Sequence, residues 1–149
     1  VIDIWTIVRF LHVLGAIIWV GGQLTITIVV LPPVRRMLSA DDRAGMLRTV
    51  GKRFAIITMA VFLPNQVTTG VLLAWQHGVT WATLLQPGYG RILAAKLLLF
   101  TLVMVAAALH GIAQARHQPG KARAASITAL VGSLGVILLA TALAESTAH

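Results

Sequence analysis

The chain has 149 residues, of which 58% are hydrophobic and 11% charged, with a mean hydropathy of +0.88 and a formal net charge of +8. So little polar surface cannot coat a soluble domain of this size, which excludes a water-soluble globular protein and points to an integral membrane protein surrounded by the lipid bilayer. There is no cysteine, so disulfides and thiolate metal sites are excluded and histidine, methionine and oxygen remain as ligands for any metal.

The sequence predicts four spans, Ile4 to Leu31, Phe54 to Trp75, Arg91 to Ile112 and Ala124 to Ala144, each long enough to cross a hydrocarbon core of about 30 Å as a helix. The expected fold is all-α, a four-transmembrane-helix bundle forming a single domain over residues 1–149. The start, Val1-Ile2-Asp3-Ile4, lacks a basic n-region, and the apolar run that follows is longer than a signal-peptide core. The first span is therefore expected to be retained rather than cleaved.

In the first span, Trp5 and Arg9 are placed to anchor the outer interface. His12, Gly15, Ala16, Trp19, Gly22 and Gln23 share one helical face, a stripe of small residues around one imidazole, one indole and one amide. An ionisable group within a span is costly, so His12 marks a candidate site, with Trp19 beside it. Leu31-Pro32-Pro33 is expected to end this helix, because proline cannot continue the backbone ladder.

The first connection carries Arg35, Arg36, Arg43, Arg48, Lys52 and Arg53. Within it, Ser39-Ala40-Asp41-Asp42 reads as an N-cap opening a short amphipathic helix on the membrane surface. In the second span Pro64 frees a backbone carbonyl that Asn65, Gln66, Thr68 and Thr69 could re-satisfy, or these polar groups could line a cavity. The second connection, Gln76 to Gly90, has no charged residue and holds glycine and aromatic residues suited to an interfacial belt and turn.

The third span places Lys96 and His110 on one face, with Val103 and Ala107 between them. Arg116, Lys121 and Arg123 follow, and Ala125, Ala129 and Ser133 form a small-residue ridge on the fourth span. The basic first and third connections, set against the uncharged second one, put both termini on the periplasmic side of a bacterial inner membrane. The charge therefore reports topology, with attraction to anionic lipid as a second effect, and not nucleic-acid binding.

Phosphate-binding glycine loops, His-Glu-x-x-His and intramembrane carboxylate pairs are all missing from the sequence, so no catalytic site is legible. The metal-ligand candidates are His12, His77 and His110, with Met59, Met104 and His117 as weaker ones, while His149 stands at the C-terminus. His12 and His110 are expected at depths about 15 Å apart, too far for one ion, whereas His77 is nearer in depth to His12.

Arg9-Phe10-Leu11-His12, Ile18-Trp19-Val20-Gly21-Gly22 and Leu31-Pro32 resemble the first helix of the copper-resistance protein D (CopD-like) membrane domain. The resemblance continues through Arg53-Phe54, Thr69-Gly70-Val71-Leu72-Leu73-Ala74-Trp75 and Tyr89-Gly90-Arg91 with Lys96-Leu97. It implies copper handling at the inner membrane, with a periplasmic copper partner. A more distant likeness to HemJ-type membrane proteins lies in Leu11-His12 and Lys96 followed by His110. The haem b reading takes His12 or His110 as the ligand, with Trp19 and Lys96 as further cofactor-binding candidates, and an electron-transfer partner. The HemJ-type histidine falls near Ala107 rather than at His110, which argues against protoporphyrinogen oxidase activity. The third reading is a non-catalytic subunit of an oligomer or larger membrane complex.

Overall fold

A computed structural model describes residues 2–146, so the C-terminal His149 lies outside the described residues. The chain is all-α. Its elements are α1 (Ile4–Met37), α2 (Ala40–Gln76), α3 (Tyr89–Ala115) and α4 (Pro119–Ser146), all four long and apolar enough to cross a membrane. They fall into two compact units, Val1–Ala74 and Trp75–His149, each built around a helical hairpin.

α1 does not end at Leu31, as the prolines led one to expect, but runs for 34 residues, about 51 Å at 1.5 Å per residue. Residues Thr25–Val30 form a π-helical segment, closed by the Leu31 N–H donating to the Ile26 carbonyl five residues back. The wider turn relieves the clash that Pro32 and Pro33 would make with the carbonyls four residues before them, and so lets the helix pass through. The same device recurs in α2, where Thr58–Phe62 is π-helical and the Leu63 N–H donates to the Thr58 carbonyl just ahead of Pro64. The backbone at Pro64 is thus accommodated by the wider turn and not by the neighbouring amides.

The first connection is also shorter than expected. Leu38 is extended (φ −105°, ψ 145°), and Ser39 caps α2 by accepting from the Asp42 N–H at 3.2 Å while its hydroxyl donates to the Asp42 carboxylate at 2.6 Å. Asp41 and Asp42 sit where the positive end of the helix dipole favours them. The cap forms as read, but the helix it opens is no separate surface piece: it continues through the second span for 37 residues. The arginines of this region therefore stand on helix, not loop.

In the first unit, the side of α2 that packs on α1 buries Thr58, Phe62, Gln66 and Thr69, while α1 buries Trp19 and Val20 at mid-helix. This interior is more polar than the outside, where Ile17, Ile18, Val67 and Val71 are exposed. Lipid takes the apolar side chains, leaving small and hydrogen-bonding residues to join the helices.

In the second unit, α3 and α4 meet through Val103, which is 2% exposed, and through Ala122, Ala129 and Ser133, while Ala125 of the expected ridge is half-buried. A Cβ on Gly132 would stand 2.5 Å from Val103 Cγ2, so glycine is needed for this approach. Between the helices, Arg116 to Gln118 turns the chain. The Gln118 N–H donates to the Ala113 carbonyl at 2.9 Å and the His117 N–H to the Gln114 carbonyl at 3.1 Å, with His117 in the left-handed region (φ 53°). This is a Schellman closure in which histidine takes the usual glycine place, and Pro119 starts α4 where its missing N–H costs nothing. α4 thus begins five residues before the apolar run at Ala124.

Candidate functional site

The polar tier of the first unit is the candidate site, and it is assembled residue by residue from two helices. On α1, the sequence puts His12 one turn before Gly15. On α2, Asn65, Gln66 and Thr69 follow Pro64 along the buried side. The absence of a side chain at Gly15 lets the two amides reach the α1 backbone: a Cβ there would lie 2.5 Å from Asn65 Nδ2 and 2.8 Å from Gln66 Nε2. Asn65 Nδ2 donates to the Leu11 carbonyl and Gln66 Nε2 to the His12 carbonyl, each at 2.9 Å. Each carbonyl's second lone pair is used, and two amides are kept out of hydrocarbon unpaired.

Above these amides, His12 Nδ1 lies 2.8 Å from Thr69 Oγ1, and Thr69 Oγ1 donates to the Asn65 carbonyl at 2.5 Å. A hydroxyl has one proton, and a carbonyl can only accept. The Thr69 proton is committed to Asn65, so the His12 contact must run from Nδ1–H to Oγ1. Nδ1 therefore carries a proton, and in the neutral form of the ring the lone pair is on Nε2. Gly70 leaves room for the ring, since a Cβ there would meet His12 Cε1 at 3.3 Å.

Trp19 lies two turns further along the same stripe, 7% exposed, with its ring 4.6 Å from Phe62 and 5.1 Å from Phe54 by centroid. A Cβ on Gly22 would approach Phe54 Cε2 at 2.9 Å, so this glycine admits the Phe54 ring. Trp19 is therefore part of an aromatic tier that packs α1 on α2, below the polar tier holding His12.

The other candidates lie in the second unit. His110 Nδ1 is 2.7 Å from the Ala122 carbonyl, and because a carbonyl can only accept, Nδ1 carries the proton here too. The bond ties α3 to the first turn of α4. Lys96 is half-buried about two turns into α3. His77 stacks on Tyr89, the first residue of α3, with centroids 4.9 Å apart and planes at 10°, beside an open cleft of about 470 Å³ lined also by Thr83 and Gln86. From Tyr89 to His110 the helix rises about 32 Å, so His77 and His110 do not share a site.

Among the described residues, no three His, Cys, Asp or Glu side chains gather to hold a metal ion. Met59 is 66% exposed on the outside of α2, and Met104 is half-buried on α3. Each histidine keeps its own environment, and those of His12 and His110 are alike in fixing Nδ1 as a donor.

Sequence reasoning singled out His12 and its stripe but not Thr69 as its partner. The signal was present in Asn65, Gln66, Thr69 and Gly70, whose spacing lines one side of a helix with hydrogen-bonding groups and one gap. Comparison with protein-family models, curated proteins and solved structures finds no match to this chain.

Proposed function

We propose that this chain is a CopD-like protein of the bacterial inner membrane that handles copper, with His12 Nε2 as the nitrogen that meets the ion within the bilayer. The observation that carries this reading is the hydrogen-bond chain from His12 Nδ1 through Thr69 Oγ1 to the Asn65 carbonyl. A ligating imidazole commonly donates its other N–H to a fixed acceptor, which orients the ring and makes the remaining nitrogen the donor to metal. Histidine nitrogen suits copper, and a site with one firm ligand suits an ion that must be released as well as captured. The motif residues around His12, Trp19 and Gly22 give the reading its copper content. In the proposed orientation both termini and the loop from Gln76 to Gly90 face the periplasm, where a copper-delivering partner would dock.

The second reading is a b-type haem protein passing electrons to an outer partner. It is favoured by one further observation: His110 repeats the arrangement, its Nδ1 donating to the Ala122 carbonyl. An imidazole whose Nδ1 is held as a donor is suited to bind haem iron through Nε2, and His12 and His110, expected about 15 Å apart in depth, would each do so at a site of its own. When bound, haem would supply one-electron chemistry; the chain's own residues would hold and orient the ring nitrogens.

Metal analysis and an absorption spectrum of one purified sample separate these readings. Copper retained without a Soret band supports the first, and a Soret band with iron supports the second. Neither metal, in a protein that purifies only with other chains, would leave the non-catalytic subunit as the account of this protein.

A further inference from the structure

The hairpin of the first unit carries a second feature, at the end that bears the Leu38–Ser39 turn. Arg35 and Arg36 on α1, with Arg48, Lys52 and Arg53 on α2, are all exposed. Among the described residues no ion pair joins them to Asp41 or Asp42, and Asp42 is held by Ser39 instead.

The helix pairing fixes the level at which these charges stand. A Cβ on Gly22 would touch Phe54 at 2.9 Å, so Gly22 and Phe54 are level, and the Leu38–Ser39 turn lies about equally far along the chain from both. Moving on from Gly22 and back from Phe54, Ile28 and Val29 of α1 come level with Arg48 of α2. Ile28 is 65% exposed and Val29 62%. Lys52 and Arg53 stand about one turn deeper, level with Leu24 and Gln23, so the apolar surface of α1 reaches out as far as the outermost of these unpaired cations on α2.

That juxtaposition matches the edge of a bilayer, where acyl chain gives way to phosphate. A soluble acidic partner would meet the cations but leave Ile28 and Val29 in water, whereas a lipid covers both. We infer that Arg48, Lys52 and Arg53 form a binding site for the headgroups of anionic phospholipids, whose chains run towards the bilayer centre along Ile56 and Ile57 of α2, 55% and 54% exposed. Juxtamembrane basic residues gain about 1 kcal/mol each from anionic lipid, roughly fivefold in association. The site is independent of whether His12 binds copper.

The test uses the full chain reconstituted in phosphatidylcholine vesicles, with spin-labelled phosphatidylglycerol or spin-labelled phosphatidylcholine as the probe. The wild type should select phosphatidylglycerol by about fivefold or more. The selectivity should fall towards one in Arg48→Gln/Lys52→Gln/Arg53→Gln, and persist in Arg116→Gln/Lys121→Gln/Arg123→Gln, which removes the same charge from the other hairpin. Raising the salt on the wild type, with no variant involved, should also lower it. Equal association of both probes with the wild type would overturn the inference. So would an equal loss in the two triple variants, which would make the effect one of net charge, or selectivity that ignores salt.

Discussion

His12 Nδ1 and Thr69 Oγ1 meet at 2.8 Å between two helices of the first unit, and because Thr69 spends its own proton on the Asn65 carbonyl, the imidazole must be the donor. Thr69→Val keeps the shape and removes the acceptor, leaving Nδ1–H without this bond. The expected cost is about 1–3 kcal/mol of stability, with Thr69→Ser close to wild type. Unfolding in mixed micelles measures the cost, and the ¹⁵N shifts of the His12 ring measure the tautomer. A Val variant with unchanged stability and unchanged ring shifts would show that Thr69 does not fix the imidazole.

Gly15 is the gap through which Asn65 and Gln66 reach the backbone of α1. Gly15→Ala places a methyl group 2.5 Å from one amide and 2.8 Å from the other and should displace both. Interhelical hydrogen bonds in membranes are worth about 0.6 kcal/mol on average and up to about 1.7, so a loss of roughly 1–3 kcal/mol is expected. Gly21→Ala meets nothing within 4 Å and is the control, expected to be neutral. Equal stabilities of the two variants would contradict the polar tier.

How far these features were legible in the sequence depends on what each required. The stripe from His12 to Gln23 was legible because periodicity within one helix fixes a face; His12, Gly15, Ala16, Trp19, Gly22 and Gln23 are all buried or half-buried, while Phe10, Val13, Ile17 and Ile18 are exposed. Thr69 was not legible as the partner of His12, since that depends on the register between helices. The lengths of α1 and α2 were missed for another reason. Charge marks where lipid ends, at Arg35 and Arg53, and proline was read as an end, whereas the π-helical turns before Pro32 and Pro64 carry each helix through.

Asp3 caps α1, its carboxylate accepting from the Thr6 hydroxyl at 2.6 Å and the Thr6 N–H at 2.7 Å. These bonds, with smaller help from Arg9, hold its pKa below the usual carboxylate value. A group depressed in the folded state stabilises it above the unfolded pKa, and that contribution is lost as pH falls through the folded one. The first turn of α1 should therefore fray in acid, seen as NMR shifts at Thr6 and Ile7 that titrate with Asp3. Asp3→Asn keeps an acceptor without the titration and should abolish the pH dependence; persistence in that variant would assign it to another group.

The proposed orientation can be read from single cysteines, since the chain has none of its own. Trp81 is 92% exposed and Met37 80%. A membrane-impermeant maleimide added from the periplasm should label Trp81→Cys and not Met37→Cys. The reverse pattern would invert the topology and move the delivery side of the copper reading.

The most direct test of the central claim is copper content after purification and dialysis against a weak chelator, compared between wild type, His12→Ala and His110→Ala at equal helicity. The account predicts that wild type and His110→Ala retain copper and His12→Ala loses it, because the imidazole fixed by Thr69 is the ligand. Copper retained in full by a folded His12→Ala variant would contradict it.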